Sequence, residues 1–112
     1  MEELRKQLSL LLERIDEAMR LLNINEDGAK LAQLQAQQQQ PNFWDDPQAA
    51  ADVSRRASSL ARHVDDWRQL HQETADNLEL TTLGDSRLLE EIQGAYRRLN
   101  DDYAKREFEL KL

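Results

Sequence analysis

Apolar residues recur at alternating steps of four and three along nearly the whole chain, a period that belongs to helices. Leu4, Leu8, Leu11, Ile15, Ala18 and Leu22 form one such stripe, widened by Leu12 and Met19. A second runs through Val53, Ala57, Leu60, Val64, Trp67, His71, Thr74 and Leu78. On a continuous helix from Pro47 to Thr81 that stripe would extend ~50 Å at about 1.5 Å per residue. Leu89, Ile92, Tyr96, Leu99 and Tyr103 make the last stripe, and Leu31 and Leu34 anchor a shorter helix that runs into Gln37–Gln40. The spacing predicts helices at roughly 2–22, 28–40, 47–81 and 86–108.

Helix-breaking residues are confined to three places. Asn23 to Gly28 combines helix-poor asparagines with a glycine and reads as a break and restart. Thr81, Thr82 and Gly84 end the long helix, after which Asp85 or Ser86 can cap the last one. Pro41 stops the glutamine-rich helix, whose four-residue glutamine run is too short to act as a low-complexity tract. Asp46 reads as an N-cap, with Pro47 at the first helical position. Between these marks Phe43 and Trp44 obey no helical period, and we expect them to fold back as a plug over neighbouring helix ends.

Narrow stripes on long helices must pair to leave water, so the expected fold class is all-α, an antiparallel helical bundle or set of coiled-coil hairpins of about four helices. The short connections favour pairing within one chain, and a monomer over a homodimer. At 112 residues the length suits a single helical domain spanning 1–112. Charged residues make up 33%, glycine and proline together number five, and aromatics are few, so the core must be mainly Leu and Ala.

Composition excludes several functions. No cysteine is present, which removes disulfides and thiolate metal sites and suits a reducing compartment. No apolar run approaches the roughly 18 residues of a membrane span, and the acidic start is unlike a signal peptide, so no membrane role and a cytoplasmic location are expected. A formal net charge of −7 argues against direct binding to DNA or any phosphate backbone as the main activity. The paired cations Arg55–Arg56 and Arg97–Arg98 have acids such as Asp52 and Asp101 within a turn, the pattern of a mixed solvated face.

Catalytic chemistry has little to stand on. His63 and His71 would lie about 12 Å apart on one helix, too far to share a metal. Adjacent carboxylates such as Asp45–Asp46, Asp65–Asp66 and Asp101–Asp102 point about 100° apart on a helix, and no phosphate-cradling glycine loop or nucleophile turn accompanies them. The expectation is a non-enzyme with no cofactor and no catalytic or metal residue. Trp67 lies on the seam of the long helix and is expected in the core. Trp44, outside any helix, is expected to pack as well.

The segment Pro41-Asn42-Phe43-Trp44-Asp45-Asp46-Pro47 resembles the Pro-x-Phe/Val-Trp-Asp/Asn-x-Pro turn in the N-terminal region of bacterial type-2 peptide chain release factors, where it follows a leucine-rich helical hairpin. The likeness continues through Ala49 to Leu60, where the family begins its long helix, and into Arg106 to Leu112, which looks like the family's passage toward a following strand. Pro41, Phe43, Trp44, Asp45, Asp46 and Pro47 are its structural signature.

That resemblance implies a ribosome-docking and regulatory domain in termination at UGA and UAA. Its partners would be a protein of the GTPase-associated centre or stalk base and the class-II release factor GTPase. The Ser-Pro-Phe and Gly-Gly-Gln motifs that read stop codons and trigger hydrolysis in the family do not occur in this sequence, so the codon-recognition and catalytic domains are absent from it. Exposed faces around Arg55, Arg56, Arg97 and Arg98 are the expected partner surface. A stand-alone coiled-coil adaptor or a ribosome-binding truncated paralogue is the alternative. The closing alternation of Leu110 and Leu112 with Glu109 and Lys111 has a strand-like period and predicts a frayed or partner-bound end.

Overall fold

In the computed structural model, which describes residues 1–111, the chain is all-α, with four helices and no strand among the described residues. Helix α1 spans Glu2–Leu21, α2 Ile24–Gln38, α3 Pro47–Thr81 and α4 Leu89–Arg106, with short 3-10 turns at Phe43–Asp45, Ser86–Leu88 and Glu107–Lys111. Acidic residues occupy the first turns of α1, α2 and α4, and Lys105 and Arg106 the last turn of α4, each placed to complement the helix dipole. None of these helices is long and apolar enough to cross a membrane.

The chain forms two compact units. One joins Met1–Leu22 to the chain from Trp67 onward, and the other is Asn23–Asp66. In the first, Leu4, Leu8 and Ile92 make a buried cluster flanked by Met1, Leu78, Leu88, Leu89 and Tyr96. Towards the other end of the same helices His71 bonds Asp16 at 2.7 Å, and the Trp67 and Tyr103 rings meet edge to face at 6.4 Å. Since Leu78 lies with Leu4 while His71 lies with Asp16, α3 runs antiparallel to α1, and the same reasoning sets it antiparallel to α4. The result is an up-down-up three-helix bundle, in which each fully buried Leu, Ile or Trp contributes about 1.5–3 kcal/mol by leaving water.

The second unit is a hairpin of α2 against the first part of α3. Asp27 lies beside His63 and Gln38 bonds Ser54 at 3.3 Å, so the two helices run antiparallel. Ile24, Leu31, Ala50, Ala57 and Val64 are its buried residues.

The break after α1 is shorter than the sequence suggested. Only Leu22 and Asn23 lie outside the helices there; Asn23 adopts the left-handed conformation at φ 56°, and α2 starts at once with buried Ile24. Asparagine tolerates that conformation better than most residues. Glu26 and Asp27 then occupy the first turn of α2, where their charge is favourable, and Gly28 lies inside the helix.

At the end of α3 the hydroxyls of Thr74 and Thr81 are buried but donate to the carbonyls of Leu70 and Leu78. Gly84, at φ 63°, closes the helix, and the Asp85 carboxylate accepts from the Arg87 N–H as α4 is entered through its 3-10 turn. Past α4, where a frayed or partner-bound end was expected, the described residues form a 3-10 turn in which Leu110 is half-buried. The turn is fixed because the Trp67 indole N–H donates to the Glu109 carboxylate across 3.1 Å. Leu112 lies outside the described residues.

Candidate functional site

The Pro41–Pro47 turn is built by local hydrogen bonds. After α2 ends at Gln38, the N–H groups of Gln39 and Gln40 reach back to Ala36 and Gln37, and those of Phe43 and Asp45 to Gln40 and Asn42. Asp46 caps α3, its carboxylate accepting from the Ala49 N–H at 3.1 Å, with Pro47 as the first helical residue. Both roles match the sequence expectation.

The aromatic plug does not form. Trp44 is 66% exposed and Phe43 half-buried, and the two rings meet edge to face at 5.1 Å. The 3-10 turn at Phe43–Asp45 holds three consecutive side chains at 120° intervals, so it can bury one flank and must show the next to water. Pro41 and Asp45 are exposed too.

Arg55 and Arg56 lie on the outer face of the hairpin, with both side chains 72% exposed. They share Asp52, at 3.1 and 3.7 Å. Between α2 and α3 these residues edge a groove of about 670 Å³, lined also by Lys30, Leu34, Ser59, Leu60 and His63. Leu34 and Leu60 are half-buried and supply its apolar wall, and His63 Nε2 lies 3.7 Å from the Asp27 carboxylate. Lys30, Leu34 and Leu60 were not singled out as a site from the sequence. A signal was available: a cation stands one turn before a leucine on both helices, Lys30 before Leu34 and Arg56 before Leu60.

Arg97 and Arg98 belong to the other unit. Arg98 pairs with Glu73 of α3 at 2.9 Å, and its guanidinium holds the Glu73 carboxyl below the usual carboxylate range. Arg98 is therefore partly structural, while Arg97 is exposed. Elsewhere, the Asp85 carboxyl is lowered by its bonds to Arg87, and burial raises the Tyr103 phenol above its ordinary value. Among the described residues no group of three or more His, Cys, Asp or Glu side chains could hold a metal ion. What the arrangement offers chemically is contact: an exposed aromatic turn and a groove with cations on its rim.

A family model described as the PCRF domain matches residues 28–112. The chain is 31% identical over 115 residues to peptide chain release factor 2 of Roseobacter denitrificans, covering 99% of this chain and 29% of that protein. It is 32% identical over 105 residues to peptide chain release factor 2 of Thermomicrobium roseum, covering 94% of this chain and 28% of the relative. A third relative of the same name, from a Caulobacter strain, is 36% identical over 87 residues, with 74% and 24% covered. The chain spans under a third of the length of the curated relatives it matches. No solved structure matches it.

Proposed function

Because this chain belongs to the family of peptide chain release factors that carry the PCRF domain, we propose that it is the helical N-terminal domain of a type-2 release factor. In this reading it serves ribosome docking and regulation during termination and supplies no catalytic residue. The observation that carries the proposal is the match over residues 28–112, which takes in the aromatic turn, the long helix and α4 together. Codon reading and peptidyl-tRNA hydrolysis would be the work of other domains of the intact factor, which would act at UGA and UAA in the cytoplasm. The proposed partners are a protein of the GTPase-associated centre or stalk base and the class-II release factor GTPase.

A contact role suits the physical chemistry. The apolar stripes of α1 and α4 are spent inside the first unit, where Leu8, Leu11, Ile15, Ile92 and Leu99 are all buried. This favours a monomer over a coiled-coil adaptor that would dimerise through those stripes. Net charge of −7 makes a protein contact on the ribosome more favourable than a purely phosphate one.

Sedimentation of the chain with purified bacterial ribosomes tests the role. We expect saturable co-sedimentation that is independent of the A-site codon and is competed by a full-length type-2 factor. Failure to sediment at any concentration up to ~100 μM, an affinity of about −5.5 kcal/mol, would overturn it.

A further inference from the structure

We propose that the groove between α2 and α3 docks an acidic amphipathic helix of a protein partner. The proposal rests on the reading of this chain as a docking domain and adds the chemistry of what it docks.

The rim carries Lys30, Arg55 and Arg56 against the single carboxylate of Asp52, a local excess of positive charge on a chain of net charge −7. Asp52 is shared between the two arginines, so neither is fully neutralised, and all three sit where water screens them until a partner excludes it. The wall of Leu34 and Leu60 is half-buried, one leucine from each helix.

Two antiparallel helices with a leucine each at their shared edge form a seat for a third helix, whose apolar residues at i, i+3 and i+4 would cover both leucines. The volume of about 670 Å³ accommodates several side chains. Carboxylates flanking that apolar stripe would meet Lys30, Arg55 and Arg56 as the leucines are covered. A nucleic-acid backbone suits the groove less well, since the apolar wall offers phosphates nothing and Asp52 repels them.

The probe is a fluorescein-labelled peptide of about four helical turns, with leucines at helical spacing and glutamates on the flanks, titrated into the whole chain. We expect a saturable rise in anisotropy, with amide shifts in a heteronuclear NMR spectrum clustered around Leu34 and Leu60. Lys30→Glu with Arg56→Glu, both on exposed side chains, should weaken binding at least about tenfold, while Lys6→Glu on the exposed face of α1 leaves it unchanged.

Equal binding of the peptide with glutamine in place of glutamate, or tighter binding of a single-stranded oligothymidine, would overturn the assignment. So would shifts centred away from α2 and α3. A chain that sediments with ribosomes yet ignores the acidic peptide would sink the groove assignment and leave the docking role standing. One that binds the peptide in the groove but never sediments would do the reverse.

Discussion

The indole N–H of Trp67, in the middle of the longest helix, donates to the carboxylate of Glu109 in the closing 3-10 turn, at 3.1 Å and across 42 residues of sequence. Trp67 has no exposed surface, and its ring also meets Tyr103 edge to face. One side chain thus packs against α4 and holds the turn that follows it.

Replacing Trp67 therefore has two separable effects. Trp67→Phe keeps most of the ring but leaves Glu109 without this donor, and should cost about 1.5–3 kcal/mol. Trp67→Ala also opens a cavity beside Tyr103 and should cost about 3–5 kcal/mol. Urea denaturation followed by far-ultraviolet circular dichroism measures both. A loss below about 1 kcal/mol for the alanine variant would contradict the packing described.

The Asp46 cap can be tested in the same way. Its carboxylate satisfies the Ala49 N–H, one of the orphan donors at the start of α3. Asp46→Ala should destabilise by about 1 kcal/mol, while Asp46→Asn, which caps about as well, should be close to neutral. Equal losses from both would mean that charge, and not capping geometry, is what Asp46 supplies.

Trp44 should behave in the opposite way to Trp67. Because it is 66% exposed, Trp44→Ala should change stability by no more than about 0.5 kcal/mol. Fluorescence separates the two rings. With Trp44→Phe the remaining emission should be blue-shifted and shielded from acrylamide, and with Trp67→Phe it should be red-shifted and freely quenched. A shielded Trp44 would restore the plug that the sequence suggested.

The contrast between these tryptophans shows what the sequence could convey. Trp67 lies on a stripe with a period, and period is a direct statement about which face is buried, so its place in the core was legible, as were the stripes of α1 and α4. Trp44 sits in a turn where no period operates. Its exposure follows from how a 3-10 turn splays neighbouring side chains, which hydropathy does not encode. Asn23 misled for a similar reason: two residues, Leu22 and Asn23 at positive φ, make the break that was expected to take six. The proline and aspartate signals at Asp46–Pro47 were local and read correctly. The groove was not legible as a site, because Lys30 and Leu34 come together with Arg56 and Leu60 only once α2 and α3 pair, a long-range register that one-dimensional spacing does not specify. Arg98 found its partner in Glu73 on another helix for the same reason.

The Glu73–Arg98 pair predicts how the bundle responds to acid. The Arg98 guanidinium, and then the Gln69 amide, hold the folded Glu73 carboxyl below the value near about 4.3 that it takes in the unfolded chain. Between those two values the unfolded state binds more protons. The pair's contribution is therefore fully present above the unfolded value and is lost as pH falls through the folded one. Arg98 is largely exposed, so screening limits that contribution to less than about 1 kcal/mol. Glu2, Glu17 and Asp85 are likewise lowered by their own arginines, so the informative quantity is a difference between variants. Glu73→Gln should lower stability at neutral pH and flatten the fall in stability below pH ~4.5 relative to the parent. Adding Arg98→Gln to it should cost little more, because the pair is already broken. Denaturation midpoints measured from pH 7 down to pH 3 decide it: parallel acid limbs for parent and Glu73→Gln would mean that Arg98 does not hold the carboxylate in solution.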